Sequence, residues 1–133
     1  FVGAIHAGWK GAFKGIVKKT IQLLKKNGCS EKDMIACIGP CIKKNSYEVK
    51  DDFFKLFKDK NKKNVNFFTF KKKKIFFDLS KYIKSQFYEN GVKKIDIIRK
   101  DTYALENNFF SSRRSKKNKH NDYGRNISAI MIK

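Results

Sequence analysis

FVGAIHAGWKG, residues 1–11, joins a short apolar run to a turn with two closely spaced glycines. Small and β-branched side chains over residues 2–6 predict a buried strand that ends before Gly8. Beyond Gly11 the apolar positions recur at intervals of three and four up to residue 26, which predicts an amphipathic helix. His6 is then expected at the carboxyl end of a strand and just before a helix, where α/β folds place their ligand sites.

The elements predicted further along the chain alternate in type. Gly28 ends the first helix, residues 34–38 form a second buried strand, and residues 47–60 show helical spacing. Asp78 is the expected N-cap of a helix that stops at Gly91. The remaining predictions are a basic loop over residues 114–123 and strands at residues 65–70, 75–77, 95–98, 109–112 and 127–132, the first two paired as a hairpin.

This order of elements predicts an α+β (layered α/β) fold in which mixed β-sheets carry helices on their outer face. No internal repeat or Pro/Ser-rich linker divides the 133 residues, so they are expected to belong to one structural unit. The chain opens on Phe1, inside what is predicted to be a strand. We therefore expect residues 1–133 to be the C-terminal part of a larger single domain. The sequence leaves the oligomeric state open.

The net charge of +20 raises the question of nucleic-acid binding, since a strongly positive surface attracts polyanions. The basic residues are 28 lysines and only four arginines, although arginine is the residue of bidentate phosphate and base recognition. An excess of Lys, Asn and Phe together is typical of AT-rich coding sequences. A solvated, compositionally biased surface is therefore favoured over a dedicated nucleic-acid interface.

The sequence also bears on location and on thiol chemistry. No run approaches about eighteen apolar residues, so no membrane-spanning helix is predicted, and the first residues lack the features of a secretory signal. Cys29, Cys37 and Cys41 match neither a CxxC redox motif nor a zinc-binding spacing. Cys41 would be a nucleophile only if His6 activated its thiol, so packing is its favoured role. We expect reduced thiols and a cytoplasmic protein.

Two clusters of side chains are candidates for a functional site. His6 offers an imidazole and Lys10 a positive charge near a helix start, although a lone His on a strand is more often a hydrogen-bonded core residue. Arg113, Arg114 and Arg125 are retained in a chain that otherwise uses Lys, which indicates a bidentate contact with phosphate or carboxylate. Ordinary surface arginines are the alternative interpretation.

Six short motifs occur in an order that matches a known family. They are HAGWKG (6–11), IGPCI (38–42), YEV (47–49), DL (78–79), FFSSRR (109–114) and GR (124–125). Over residues 2–132 the sequence resembles the multicopper polyphenol oxidoreductase (laccase-like) family, also called the peptidoglycan editing factor family. The HAGW motif and the ending FFSSRR…GR are the most specific parts of this resemblance.

The resemblance implies a zinc-dependent purine nucleoside phosphorylase, acting on adenosine, inosine or methylthioadenosine with phosphate, that also deaminates adenosine. The family binds zinc through two histidines and one cysteine, a set that leaves an open position for an activated water. Of these ligands only His6, which would also be catalytic, falls in this chain; the other two lie upstream in the family. Residues 1–133 alone are therefore expected to hold zinc weakly and to show little or no activity.

The resemblance also implies cations around the phosphate, a role that suits Lys10, Arg113, Arg114 and Arg125. The sequence departs from the family at Lys10, which usually is Arg, and at residue 101, an Asp where a Cys is usual. The older family label keeps a copper-dependent polyphenol oxidoreductase as the alternative activity, with copper as the alternative metal. A basic nucleic-acid-binding module is the third and least favoured hypothesis.

Overall fold

A computed structural model describes residues 1–120 and 123–132 of the chain. The described residues form five α-helices, which are α1 (Trp9–Phe13), α2 (Ile16–Lys26), α3 (Asp51–Lys60), α4 (Leu79–Glu89) and α5 (Ser112–Lys117). They also form five strands, which are β1 (Ile35–Ile38), β2 (Glu48–Val49), β3 (Phe68–Lys71), β4 (Lys74–Phe77) and β5 (Lys94–Ile97). Two 3₁₀ helices cover Lys62–Phe67 and Leu105–Asn107.

The helix predicted over residues 11–26 is divided into two. α1 begins earlier than expected, at Trp9, and Gly15 separates it from α2. Gly15 adopts a φ of 82°, in the left-handed region that costs residues with a Cβ about 1–2 kcal/mol. α2 ends as predicted, because Gly28 has a φ of 85° and lies just past the last helical turn.

α4 confirms the predicted signals at both of its ends. Asp78 Oδ1 accepts the backbone N–H of Lys81 (2.9 Å) and the hydroxyl of Ser80 (2.9 Å), which makes it the N-cap. Gly91, at a φ of 87°, follows the last turn. α3 begins later than the spacing predicted, since Glu48 and Val49 form β2.

The strands form two sheets of opposite type, and the predicted α+β fold with mixed sheets is confirmed. β1 and β5 pair in parallel, with Ile38 opposite Ile97. β2, β4 and β3 form an antiparallel sheet in that order. The predicted hairpin is confirmed as β3–β4, and its turn holds Lys72 and Lys73 at φ of 49° and 59°, the left-handed conformation usually supplied by Asn-Gly.

Aromatic side chains fill the core between α1, α3, α4 and the antiparallel sheet. Phe57 and Phe77 are fully buried, and their ring centroids lie 4.8 Å apart. Trp9, from the HAGW motif, packs against Phe53 with a centroid distance of 4.9 Å. Because aromatic rings bury a large apolar area, this cluster contributes strongly to the stability of the described chain.

Three predicted strands are not found in the described part of the chain: residues 2–6, 109–112 and 127–132. The first and last of these segments are exposed, Ile127 to 94%. A strand forms only where a neighbour hydrogen-bonds to it, and no described segment pairs with these three. The basic loop predicted over residues 114–123 is also partly wrong because α5 covers its first residues; residues 121–122 lie outside the described ones.

Candidate functional site

The loops that follow β1 and β5 meet at the carboxyl ends of these parallel strands. The backbone N–H of Thr102 donates to the carbonyl of Cys41 (3.3 Å), and Lys43 Nζ donates to the carbonyl of Ile98 (2.9 Å). The carboxyl ends of neighbouring parallel strands are where α/β folds place ligands. The IGPCI motif and the loop that leads to the FFSSRR motif are therefore joined at the edge where a site is expected.

Arg114 binds the protein's own backbone at the start of α5. Its guanidinium donates to the carbonyls of Thr102 (3.1 Å), Tyr103 (2.8 Å) and Phe109 (2.5 Å). The hydroxyl of Ser111, which is buried, caps the same helix by accepting the backbone N–H of Arg114 (3.3 Å). Arg114 thus fixes the preceding loop to α5, and the contact with phosphate stays a prediction.

Arg113, the neighbouring residue, faces solvent and lies over Tyr47. The guanidinium carbon is 5.2 Å from the centroid of the tyrosine ring, and Nη1 donates to the carbonyl of Glu48 (3.0 Å). Burial raises the pKa of the Tyr47 phenol, an effect that the positive charge of Arg113 opposes. A guanidinium carries five N–H donors, more than its hydrogen bonds to Glu48 and Tyr47 use, so Arg113 is suited to receive an anion.

The GR motif packs against the FFSSRR motif through Gly124 and Asn126. Asn126 bonds to the backbone of Phe110 in both directions, with Oδ1 accepting its N–H (3.0 Å) and Nδ2 donating to its carbonyl (2.8 Å). A Cβ on Gly124 would come within 2.5 Å of the Phe110 ring, so a larger residue there would require this half-exposed ring to move. Arg125 lies over the ring of Tyr123, 4.1 Å from its centroid. The structure therefore brings these two motifs together.

His6 and Lys10 are placed differently from the sequence prediction. Both are exposed, and His6 belongs to an irregular segment with its Nε2 only 3.0 Å from where a Cβ of Gly8 would lie. Lys10 lies inside the five-residue helix α1, with Nζ 5.6 Å from the centroid of the Trp9 ring. The prediction that His6 lies at the end of a buried strand is therefore wrong. The binding of a metal by His6 and of phosphate by Lys10 stays a prediction.

Packed aromatic rings connect the HAGW motif with Arg113. The ring of Trp9 packs against Phe53, whose centroid lies 6.3 Å from that of Tyr47. Tyr47 in turn lies beneath the Arg113 guanidinium. Three motifs that are far apart in the sequence, HAGWKG, YEV and FFSSRR, are therefore linked by direct side-chain contacts.

The described residues do not complete a metal site. Within residues 1–120 and 123–132, no three or more His, Cys, Asp or Glu side chains are grouped so that they could hold a metal ion. Cys41 is half-buried, and burial raises the pKa of its thiol, which lowers the fraction present as the reactive thiolate. The imidazole of His6 is a suitable donor for zinc or copper, but a single ligand does not form a site.

Asp101 and Ser46 are structurally important residues that sequence reasoning missed. The carboxylate of Asp101 accepts hydrogen bonds from Lys43, Ser46 and Tyr103, and so joins the two loops at the strand ends. Asp101 stood out in the sequence only as a departure from the family pattern. The signal that could have found it is the preference of Asp for accepting backbone N–H groups two residues on in turns.

Comparison with known proteins shows the family of this chain. The whole chain, residues 1–133, matches the family described as multi-copper polyphenol oxidoreductase laccase. This chain is a member of that family. The resemblance inferred from the six motifs is therefore confirmed.

Curated relatives of this laccase-family chain carry a different name. A protein of Rickettsia conorii is 38% identical over 135 residues, which covers 99% of this chain and 55% of the relative. A protein of Aquifex aeolicus is 40% identical over 102 residues, covering 77% of this chain and 45% of the relative. Both are named purine nucleoside phosphorylase. The chain thus spans about half the length of the curated relatives it matches.

A solved structure supports the fold of this family member. The crystal structure of Bacillus licheniformis hypothetical protein YfiH superimposes with a TM-score of 0.73 at 26% sequence identity. The match covers 84% of this chain and 43% of the other. In the part of the chain that the structure describes, none of the helices combines the length and the apolar character needed to cross a membrane.

Proposed function

We propose that this chain forms part of a zinc-dependent purine nucleoside phosphorylase that also deaminates adenosine. Its substrates would be inorganic phosphate and a purine nucleoside such as adenosine, inosine or methylthioadenosine. The names of the relatives at 38% and 40% identity support the phosphorolysis. Within the chain, the observation that carries the proposal is the exposed guanidinium of Arg113, supported by the Tyr47 ring and by Glu48.

Phosphorolysis needs a fixed positive charge at the phosphate. A phosphate oxygen forms a bond to C1′ of the ribose, the bond from C1′ to the purine nitrogen breaks, and the purine leaves. The phosphate must be held while the sugar develops oxocarbenium character, so cations in a fixed position stabilise the transition state. A planar guanidinium binds two phosphate oxygens at once, which makes Arg113 the first candidate, with Lys10 and Arg125 as further cations and Arg114 as their structural support.

The proposed zinc would take His6 as one ligand and its other ligands from groups outside the described residues. Copper is the alternative metal. In this proposal residues 1–133 form one part of a larger domain, in keeping with a match to 55% of the Rickettsia conorii relative. A cytoplasmic location is proposed because Cys29, Cys37 and Cys41 are free thiols.

The test is an assay of the protein, in the longest form that its gene encodes, with adenosine in the presence and absence of phosphate. We expect adenine and ribose 1-phosphate to form when phosphate is present. We also expect inosine to form by deamination, and this formation should stop when a chelator is added. Arg113→Ala should lower phosphate-dependent turnover about 100-fold at low phosphate, as does the loss of one charged donor at a developing charge. Arg99→Ala, which changes another exposed arginine, is the matched control and should leave turnover unchanged.

Two results would count against this proposal. Failure to form adenine, inosine or hypoxanthine under any of these conditions would contradict the assigned reaction. A separate measurement concerns the metal: residues 1–133 should retain far less than one zinc per chain after dialysis. Near-stoichiometric zinc in that chain would show that its ligands do not come from elsewhere.

The family description favours one alternative, a copper-dependent oxidation of phenols. Oxidation of a phenol in the presence of copper, without turnover of adenosine, would support that alternative. Binding of nucleic acid is the remaining hypothesis, based on the net charge of +20. Binding that persists well above physiological salt would support it, whereas a steep loss would indicate simple charge attraction.

A further inference from the structure

Asp101 joins the loop after β5 to the loop after β1 through its carboxylate. Oδ1 accepts the backbone N–H groups of Lys43 (3.2 Å) and Tyr103 (2.9 Å), and Oδ2 accepts the hydroxyl of Ser46 (2.7 Å). All four residues are half-buried. Hydrogen bonds to a charged acceptor in a partly dehydrated site are stronger than neutral ones, so this carboxylate fixes both loops.

Two routes of direct contacts lead from Asp101 to Arg113. On one side, Ser46 precedes Tyr47, whose ring lies beneath the Arg113 guanidinium at 5.2 Å. On the other side, the carbonyl of Tyr103 accepts a hydrogen bond from Arg114 (2.8 Å), which anchors the helix that carries Arg113. The Asp101 carboxylate therefore restrains both the Tyr47 ring, on which the guanidinium lies, and helix α5, which carries Arg113.

We propose that Asp101 is a positioning residue that holds the Arg113 guanidinium on the Tyr47 ring and so prepares it to bind an anion. The identity of that anion as phosphate rests on the proposed function. Only an acceptor with two oxygens can take these three hydrogen bonds, and a carboxylate supplies both oxygens with full acceptor capacity.

The experiment compares two variants of the Asp101–Ser46 hydrogen bond with two matched variants at the N-cap of α4. Asp101→Ala and Ser46→Ala remove the carboxylate and one hydroxyl donor. Asp78→Ala and Ser80→Ala remove the same pair of groups at the α4 N-terminus, where Ser80 donates to Asp78 over 2.9 Å. Each variant is made in the longest form of the protein that its gene encodes and is labelled with ¹⁵N. In each we would measure the Nε–H resonance of Arg113, the dissociation constant for inorganic phosphate and the melting temperature.

Asp101→Ala and Ser46→Ala should move the Arg113 resonance towards that of a solvated arginine, because the ring current of Tyr47 no longer acts on it. Phosphate binding should weaken about tenfold in Asp101→Ala and less in Ser46→Ala, in proportion to the hydrogen bonds lost. Asp101→Asn keeps one carbonyl acceptor and should recover part of both effects. The two cap variants should lower the melting temperature but change neither the resonance nor phosphate binding.

An Arg113 resonance that is unchanged in both Asp101→Ala and Ser46→Ala would overturn the positioning role. A resonance that moves while the unaltered protein binds no phosphate would support the positioning role and contradict the proposed phosphorolysis, so the two failures are distinguishable. If Asp101→Ala does not fold, the result for Ser46→Ala tests the positioning role, because this variant loses a single hydrogen bond and is expected to fold. Equal effects from the cap variants would reduce the role of Asp101 to general stability and overturn the proposal.

Discussion

The aromatic core and the Asp101 region are stabilised by opposite kinds of contact. Around Phe57 and Phe77, rings from three helices and the antiparallel sheet pack with centroid distances near 5 Å. Around Asp101 the contacts are hydrogen bonds, most of them between one charged side chain and backbone groups of loops. The aromatic core is stabilised by the burial of apolar area, whereas the Asp101 region is stabilised by a few hydrogen bonds that require a particular geometry.

This difference separates stability from function within one small chain. The burial of apolar area is non-directional, so the core tolerates irregular elements such as the 3₁₀ helix that leads into β3. Hydrogen bonds to Asp101 and Arg114 are directional, and they set where the exposed Arg113 guanidinium lies. Substitutions in the core should therefore change the free energy of unfolding, whereas substitutions in the Asp101 region should change local geometry first.

The largest effect is expected for Phe57→Ala in the aromatic core. Loss of this fully buried ring should lower the free energy of unfolding by about 3–5 kcal/mol, because a cavity remains among its neighbours. Leu56→Ala, on the same helix but exposed, is the control and should cost well under half of that. Urea unfolding followed by Trp9 fluorescence measures both. Equal costs would show that the core does not depend on ring packing.

A smaller and more local effect is expected for Arg114→Lys. Lysine carries one ammonium group and cannot bond to all three carbonyls that the Arg114 guanidinium contacts. The free energy of unfolding should therefore fall by about 2 kcal/mol, because hydrogen bonds to a charged donor are lost. Hydrogen exchange should accelerate first in residues 102–109, while the amides of α3 keep their protection. Arg99→Lys at an exposed position is the control. Uniform acceleration over the chain would contradict the separation of the two regions.

The smallest effect is a gain in stability at the β3–β4 turn. Lys73 has a φ of 59°, so Lys73→Gly should raise the free energy of unfolding by about 1 kcal/mol through release of backbone strain. Lys71→Gly, inside β3, removes the same charge and should instead lower it. Thermal unfolding of the two variants compares them directly. A gain in both variants would indicate charge repulsion among the lysines as the dominant cause.

The candidate site was predicted only in part. The FFSSRR and GR motifs, which hold three of the four arginines, are brought together by the fold, since Phe110 and Gly124 pack together. The role of these arginines in a site stays a prediction. Nothing in the sequence distinguished Arg113, which faces solvent, from Arg114, which binds carbonyls of its own chain. That distinction depends on which backbone groups lie within reach after folding, and neighbouring positions on a helix point in different directions.

The sequence by itself determined the features whose causes are local. The helix ends at Gly28 and Gly91, the Asp78 cap and the β3–β4 hairpin depend on residues a few positions apart, so composition and spacing were sufficient. Only the tertiary structure decided the rest. Strand formation over residues 2–6 and 127–132 requires a distant partner, and the role of Asp101 requires Lys43 and Ser46 from a loop more than fifty residues away. Contacts between distant parts of a chain are set by the packing of the whole fold, which no short pattern contains.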